Sequence, residues 1–253
     1  SQGNKIWDKF YKSGELLRYY TITEAYDNGY LLGGYEYDGI NFHSNAILVR
    51  IDSLGNELWR KVLSVPLSSG SINSLRKYKN GYLAICGEGT RAKLIRLDLN
   101  GEIVLERYID HPPGIYGGNP SYIYGELYSS DKIVMYRNYS RSNGVIFSIL
   151  DKLDSSFNRL DSLQIEFSNA SVYMRSVLPL ANGDLIFVGE INNGNITRTN
   201  VYAVRTDSNL RSPPILIQNH SNEIPPETRL LQNYPNPFNP STNSGRTVWV
   251  VGR

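Results

Sequence analysis

One layout of residues recurs four times in this chain, and a repeat of that length leaves few folds open. A polar pair before an apolar run appears as Asn28-Gly29-Tyr30, Asn80-Gly81-Tyr82, Asp131-Lys132-Ile133 and Asn182-Gly183-Asp184, every 51 to 52 residues. A second anchor is an apolar strand that ends in Asp: Val49-Arg50-Ile51-Asp52, Ile95-Arg96-Leu97-Asp98, Ser148-Ile149-Leu150-Asp151 and Val204-Arg205-Thr206-Asp207. Its spacing varies, so length changes fall in the connection between the anchors. Gly3-Asn4-Lys5-Ile6-Trp7-Asp8-Lys9 matches Gly55-Asn56-Glu57-Leu58-Trp59-Arg60-Lys61 without a gap, so the first residues read as the end of a repeat.

Inside each repeat, apolar and polar residues alternate in short runs bounded by Gly, Asn and Asp, the pattern of half-buried strands joined by tight turns. The first copy, 20–63, predicts strands at 21–26, 30–36, 46–52 and 57–63. The same order returns in 71–109, 121–167 and 172–217, with residues 157–167 as the last strand of the third copy and 215–218 as that of the fourth. Pro213-Pro214 interrupts that final strand and demotes it to an edge or an irregular segment. Four short antiparallel strands make one blade, and a blade cannot bury its apolar faces alone. The expected fold is therefore all-β, a partial β-propeller of about four four-stranded blades, with residues 4–11 as the last strand of a preceding blade. Either that strand closes a small ring by completing the fourth blade, or further blades lie upstream.

Trp7 and Trp59 occupy equivalent places, where the second copy has Leu105 and the third Arg159. Packing of a large ring between blades accounts for them, with sugar stacking as the alternative. The stretch Asp52-Ser53-Leu54-Gly55-Asn56-Glu57-Leu58-Trp59 resembles quinoprotein and related bacterial propeller repeats, in which an Asp-ended strand turns through Gly into a strand carrying Trp. The resemblance implies propeller architecture and no quinone.

Charge and cysteine content narrow the classes further. A formal charge of +2, with Lys and Arg scattered, gives no nucleic-acid or anionic-membrane surface. No run approaches the roughly 20 apolar residues of a membrane helix. Cys86 is the single cysteine and reads as a small buried apolar residue within Leu83-Ala84-Ile85-Cys86. No signal peptide is visible at Ser1, which is expected where a chain opens inside a repeat.

Signals for chemistry are sparse. His43, His111 and His220 stand apart from one another, no Cys/His spacing fits zinc, and no phosphate-binding loop or nucleophile elbow occurs, so neither metal nor cofactor is expected. Glu24 and Glu126, on first strands, are the carboxylates that a secreted polysaccharide hydrolase would pair. A non-enzymatic binding role is better motivated. Two aromatic loops, 35–42 and 108–122, offer Tyr35, Tyr37, Phe42, Tyr116 and Tyr122 as candidate contacts for a glycan or protein ligand, since rigid rings give area at low entropic cost. The same tyrosines also fit ordinary packing between blades.

Beyond residue 217 the composition changes. Residues 218–227 are polar and bounded by proline, as a linker is, and residues 228–253 form a tail. The tail opens with Leu230-Leu231-Gln232-Asn233-Tyr234-Pro235-Asn236-Pro237-Phe238-Asn239-Pro240-Ser241-Thr242. This string resembles the start of the C-terminal sorting domain of proteins exported by the type IX secretion system of Bacteroidetes and related bacteria. The resemblance implies a small β sandwich recognised by the secretion machinery, and an extracellular or outer-membrane surface address. The prolines fix extended backbone and bar helix, while Tyr234 and Phe238 offer rings to a core. After Thr242 the sequence leaves the family pattern, so the sorting domain reads as truncated.

Overall fold

The computed structural model describes residues 5–11, 16–39, 43–63, 70–88, 91–110, 120–129, 131–141, 143–192 and 199–211. The chain divides into two compact units, Ser1–Pro213 and Pro214–Arg253, and every described residue belongs to the first. The linker, the sorting-type motif and the expected strand at 215–218 lie outside the described residues.

Fifteen strands and no helix occur among the described residues. Blade 1 is β1 (Leu17–Glu24), β2 (Tyr30–Asp38), β3 (His43–Ile51) and β4 (Glu57–Val62). Blade 2 is β5 (Gly70–Tyr78), β6 (Gly81–Glu88), β7 (Arg91–Leu97) and β8 (Ile103–Ile109). Blade 3 is β9 (Pro120–Ser129), β10 (Lys132–Ser140), β11 (Ile146–Asp154) and β12 (Arg159–Ile165), and blade 4 is β13 (Ser171–Pro179), β14 (Leu185–Asn192) and β15 (Thr199–Thr206). Each blade is a simple antiparallel meander. The first strand of each of blades 2, 3 and 4 packs across the inner three strands of the blade before it, so β1, β5, β9 and β13 follow one another at the centre and β4, β8 and β12 stand outside. The unit is a propeller arc of four blades, as the repeat predicts.

The register makes the blades superimposable. Gly33 pairs with Leu48, Ile85 with Leu94, Tyr136 with Leu150 and Val188 with Ala203. In blades 1 to 3 these positions are buried against the next blade. In blade 4 the same face stays apolar, yet Val188 is 39% exposed and Ala203 is exposed. Three clusters fill the interfaces. One joins Leu31, Ala46 and Leu48 to Tyr82, Ala84 and Ile95; the next joins Ile85 and Leu94 to Ile133 and Met135; the third joins Val134, Tyr136 and Leu150 to Met174 and Phe187.

Every third strand ends in an Asp that caps a turn. The Oδ1 atoms of Asp52, Asp98, Asp154 and Asp207 each accept backbone N–H groups two and four residues on, at 2.8–2.9 Å. The third anchor is thus Asp154, not Asp151. The run Asp151-Lys152-Leu153-Asp154 offers two acids after an apolar strand, and turn geometry selects the second. Asp151 is instead fully buried, bound by Arg137 at 2.5–2.9 Å, with Arg159 Nε at 2.9 Å. Arg137 also donates to the Asp110 carbonyl, fastening the end of blade 2 to blade 3. The partner of Lys152 on β12 is Asp161, so Asp161, not Arg159, occupies the place of Trp59. In the fourth copy the first anchor shifts by one, since Leu185 pairs with Thr206 as Tyr30 pairs with Ile51.

Residues 5–11 are not in a strand. Their side chains nevertheless sit on blade 1 as those of β4 sit on blade 2. Trp7 Nε1 donates to the Ser53 carbonyl at 3.0 Å, Lys9 to Asn56 Oδ1 at 3.2 Å and Tyr11 to the Gly55 carbonyl at 2.9 Å. Lys61 likewise reaches the Asn100 carbonyl at 2.7 Å and Glu102 at 2.5 Å, and Arg107 reaches Asn158. β2 runs on to Asp38, because Tyr37 and Asp38 pair with Ser44 and His43; Tyr35 and Tyr37 therefore lie in a strand rather than a loop.

Candidate binding rim

The meander gives the arc two different rims. At the turn rim lie the four Asp-capped turns. At the opposite rim first and third strands begin and second and fourth strands end, so Tyr35, Tyr37 and the backbone of Tyr122 are brought to one edge of the molecule. Tyr122 lies at the start of β9, opposite Asn138. Phe42 and Tyr116 fall outside the described residues.

Blades 2, 3 and 4 each set an aromatic ring against an arginine at this second rim, and blade 1 sets two tyrosine rings together there. In blade 1 the Tyr20 and Tyr35 rings meet at 5.7 Å, tilted by 46°, and burial together with the neighbouring Tyr35 raises the Tyr20 pKa, while a hydrogen bond from Arg18 opposes the shift. In blade 2 the Arg91 guanidinium lies 4.0 Å from the Tyr108 ring centroid, and the Tyr108 hydroxyl donates to Glu88 at 2.9 Å. Beside it the buried Lys93 is 2.9 Å from Glu106 and 3.6 Å from Glu88. Burial alone would lower the Lys93 pKa; the two carboxylates outweigh it and the net shift is upward. In blade 3 Arg141 lies 5.0 Å from the Phe147 ring and forks onto Glu166 at 2.6 and 2.7 Å, which holds the Glu166 carboxyl below its ordinary range. In blade 4 Arg175 lies 5.4 Å from the Tyr173 ring and donates to Glu190 at 2.7 Å.

Three of the four central strands carry a one-residue bulge at the same register. The extra residues are Tyr20 in β1, Asn73 in β5 and Arg175 in β13. A bulge re-aims a side chain without loosening the sheet around it, and bulges concentrate at sites of function. Tyr20 is 55% exposed; Asn73 accepts from the Ser71 hydroxyl at 2.8 Å and is partly buried. All three stand on first strands, at the same register in blades 1, 2 and 4. None of the three falls in the aromatic loops 35–42 and 108–122 that stand out in the sequence.

The carboxylates that a hydrolase would pair are engaged by the neighbouring blade. Glu126 accepts three bonds from Arg76 at 2.8–2.9 Å. Glu24 lies 3.5 Å from Lys77. Among the described residues no three His, Cys, Asp or Glu side chains converge as metal ligands.

No family profile matches this sequence, and no curated protein matches it. Among solved structures the chain is similar to the WD40 domain of SCAP from fission yeast, with 8% identity over 76% of this chain and 75% of that one, at a TM-score of 0.21. The assignment of the propeller rests on the sheets, their register and their stacking.

Proposed function

We propose that this protein is a non-enzymatic β-propeller binding module for a glycan or protein, with the strand-start rim as its contact surface. The observation that carries the reading is the recurrence of an arginine–aromatic contact in blades 2, 3 and 4 at one rim, with Arg18, Tyr20 and Tyr35 at the same rim of blade 1. Arginine and tyrosine are the side chains that most often anchor binding surfaces. The test presents the full chain with soluble polysaccharides and with a displayed peptide library, beside a Tyr20→Ala/Arg175→Ala variant of equal thermal stability. Binding that the double substitution abolishes supports the reading. Binding that the variant retains, or none from either pool, overturns it. Release of reducing ends from a polysaccharide, lost on Glu24→Gln or Glu126→Gln, moves the assignment to a hydrolase.

We further propose that the protein works outside the cell, at the outer-membrane surface or free, as a substrate of type IX secretion. The support is the string at 230–242. A reporter fused to a full-length sorting domain opening with this motif is expected in the medium or on the surface of a type IX-competent cell, and retention in the periplasm overturns the proposal.

A further inference from the structure

We infer that a recess at the turn rim of blade 2 seats the acidic side chain of a partner peptide, at the rim opposite the contact surface proposed above. Two observations carry it: a base that the molecule satisfies internally in the other three blades has no acceptor here, and a lysine stands where its carboxylate would be.

Two residues before each capping Asp stands a base. Arg50, Arg96, Lys152 and Arg205 pair across to Leu31, Leu83, Val134 and Ile186, at one register. Three of the four are answered within the chain. Arg50, only 3% exposed, donates to the Asp27 carboxylate and, at 3.1 Å, to the Tyr30 carbonyl. Arg205 Nε donates to Asp184 at 2.9 Å, and Lys152 donates to the Ser208 carbonyl. Asp27 and Asp184 both lie in the connection that leads into the second strand of their blade. In blade 2 that connection is Lys79-Asn80-Gly81, which carries no acid. Among the described residues Arg96 makes no hydrogen bond and no ion pair.

Arg96 and Lys79 line one recess of about 270 Å3, together with Tyr78, Asn80, Leu97 and Val104. Lys79 Nζ stands 5.4 Å from the Tyr78 ring centroid. The acids nearby are engaged elsewhere. Asp98, at the edge of the recess, accepts the N–H groups of Asn100 and Glu102, and the Glu102 carboxylate is held by Lys61. The blade 3 carboxylates felt at Tyr78, Asp131 and Asp154, accept from the Ser129 hydroxyl and from the N–H groups of Ser156 and Asn158. A carboxylate from outside would therefore take the part that Asp27 plays for Arg50, with Lys79 as a second cation beside it.

Size and border favour a peptide as its carrier. Drug-sized ligands fill roughly 300–1,000 Å3, so this recess holds a single side chain. Val104 on its wall, Ile103 next to it in the chain and Leu99 beside Asp98 are 45–53% exposed. A free inorganic anion has no use for that apolar border, whereas the residues flanking an acid in a peptide can cover it.

The experiment follows the fluorescence anisotropy of labelled pentapeptides, Gly-Leu-Asp-Leu-Gly and Gly-Leu-Glu-Leu-Gly with both termini blocked, titrated with the full chain. The same peptides with Asn or Gln at the centre are the neutral arm. At least one acidic peptide is expected to bind about tenfold or more tighter than its amide, and to weaken several-fold between about 0.05 and about 0.5 M NaCl. Arg96→Gln is expected to weaken it by about tenfold or more. Lys79→Asp rebuilds the Asp27 and Arg50 arrangement inside blade 2, and Asp tolerates the left-handed backbone at φ 53°. That variant is expected to lose peptide binding while its melting temperature stays equal or rises, which separates a filled seat from a damaged fold. Equal binding of acid and amide, binding by neither, or acidic binding untouched by both substitutions overturns the inference. Displacement of the peptide by equimolar acetate, inorganic phosphate or polygalacturonate carboxylate overturns the assignment to a peptide.

Discussion

Trp59 of blade 1 covers Gly101 of blade 2: a Cβ added to that glycine would stand 2.5 Å from the indole Cη2. Trp7 covers Gly55 in the same way, with the added atom 2.8 Å from Cζ3. At the next interface the sizes are reversed. Phe157 takes the glycine's place in the turn at φ 65°, and Leu105 takes the tryptophan's, in the same cluster. One large ring sits at each of these three junctions of outer strand and turn, supplied by either side; between blades 3 and 4, Asp161 and Leu210 take the two places and no ring is present. A basic residue two positions on, Lys9, Lys61 or Arg107, then ties the turn's polar side chain.

Gly101→Ala tests that contact against backbone strain. Gly101 has φ +75° and Gly144 has φ +80°, but nothing lies within 4 Å of a Cβ at Gly144. Both substitutions incur the left-handed cost of about 1–2 kcal/mol; only Gly101→Ala adds the collision with Trp59, for a total of about 3 kcal/mol. Urea unfolding of the two variants measures the difference, and equal losses would show that the indole is not fixed there.

The open face of blade 4 sets a second comparison. Ile85 and Val188 occupy the same register position, but Ile85 is buried by blade 3. Ile85→Asp places a carboxylate in a dry interface and is expected to cost more than about 4 kcal/mol. Val188→Asp is expected to cost less than about 1 kcal/mol. Denaturation midpoints decide it; a large loss at Val188 would mean that its face is covered in solution.

Much of this fold is legible in the sequence because strand alternation and turn residues act locally. The third anchor is misread for the opposite reason. Asp151 and Asp154 look alike in sequence, and what separates them is Arg137, which reaches Asp151 from the adjacent strand, and the turn that closes over Asp154. The strand expected at 4–11 has the right composition and the right contacts, but strand identity also needs a backbone partner. The rim residues Tyr20, Asn73 and Arg175 are hidden because a bulge inserts one residue into one strand, a change that only pairing reveals. Their nearly constant distance before Asn28, Asn80 and Asn182 was the one available signal.

Cys86 predicts an alkaline limit. Burial pushes its thiol up to about 12, against about 8.5 in an unfolded chain. The folded state therefore holds a proton that the unfolded state releases, so stability is intact below about pH 8.5 and falls as pH rises toward 12. Tyr19, also raised to about 12 by burial, adds to the loss above about pH 10. Cys86→Ala is expected to flatten the decline between about pH 8.5 and 10. Thiol reagents at pH 8 are expected to label the native protein only at the rate of unfolding.

Leu105 and Phe157 provide the sharpest test, because the chain already contains the alternative pairing. Phe157→Gly removes a buried ring, which costs about 3–5 kcal/mol through transfer and cavity, offset by about 1 kcal/mol as the left-handed residue becomes glycine. Leu105→Trp alone forces an indole against the phenyl ring and is expected to cost about 1–3 kcal/mol. Together the two substitutions rebuild the arrangement of Trp59 over Gly101. The double variant is expected to lose at least about 1 kcal/mol less than the sum of the single losses. A double-mutant cycle in urea gives the coupling directly. Strict additivity would mean that Leu105 and Phe157 do not share one space, and that the exchange of ring between strand and turn is an accident of two interfaces rather than a rule of the repeat.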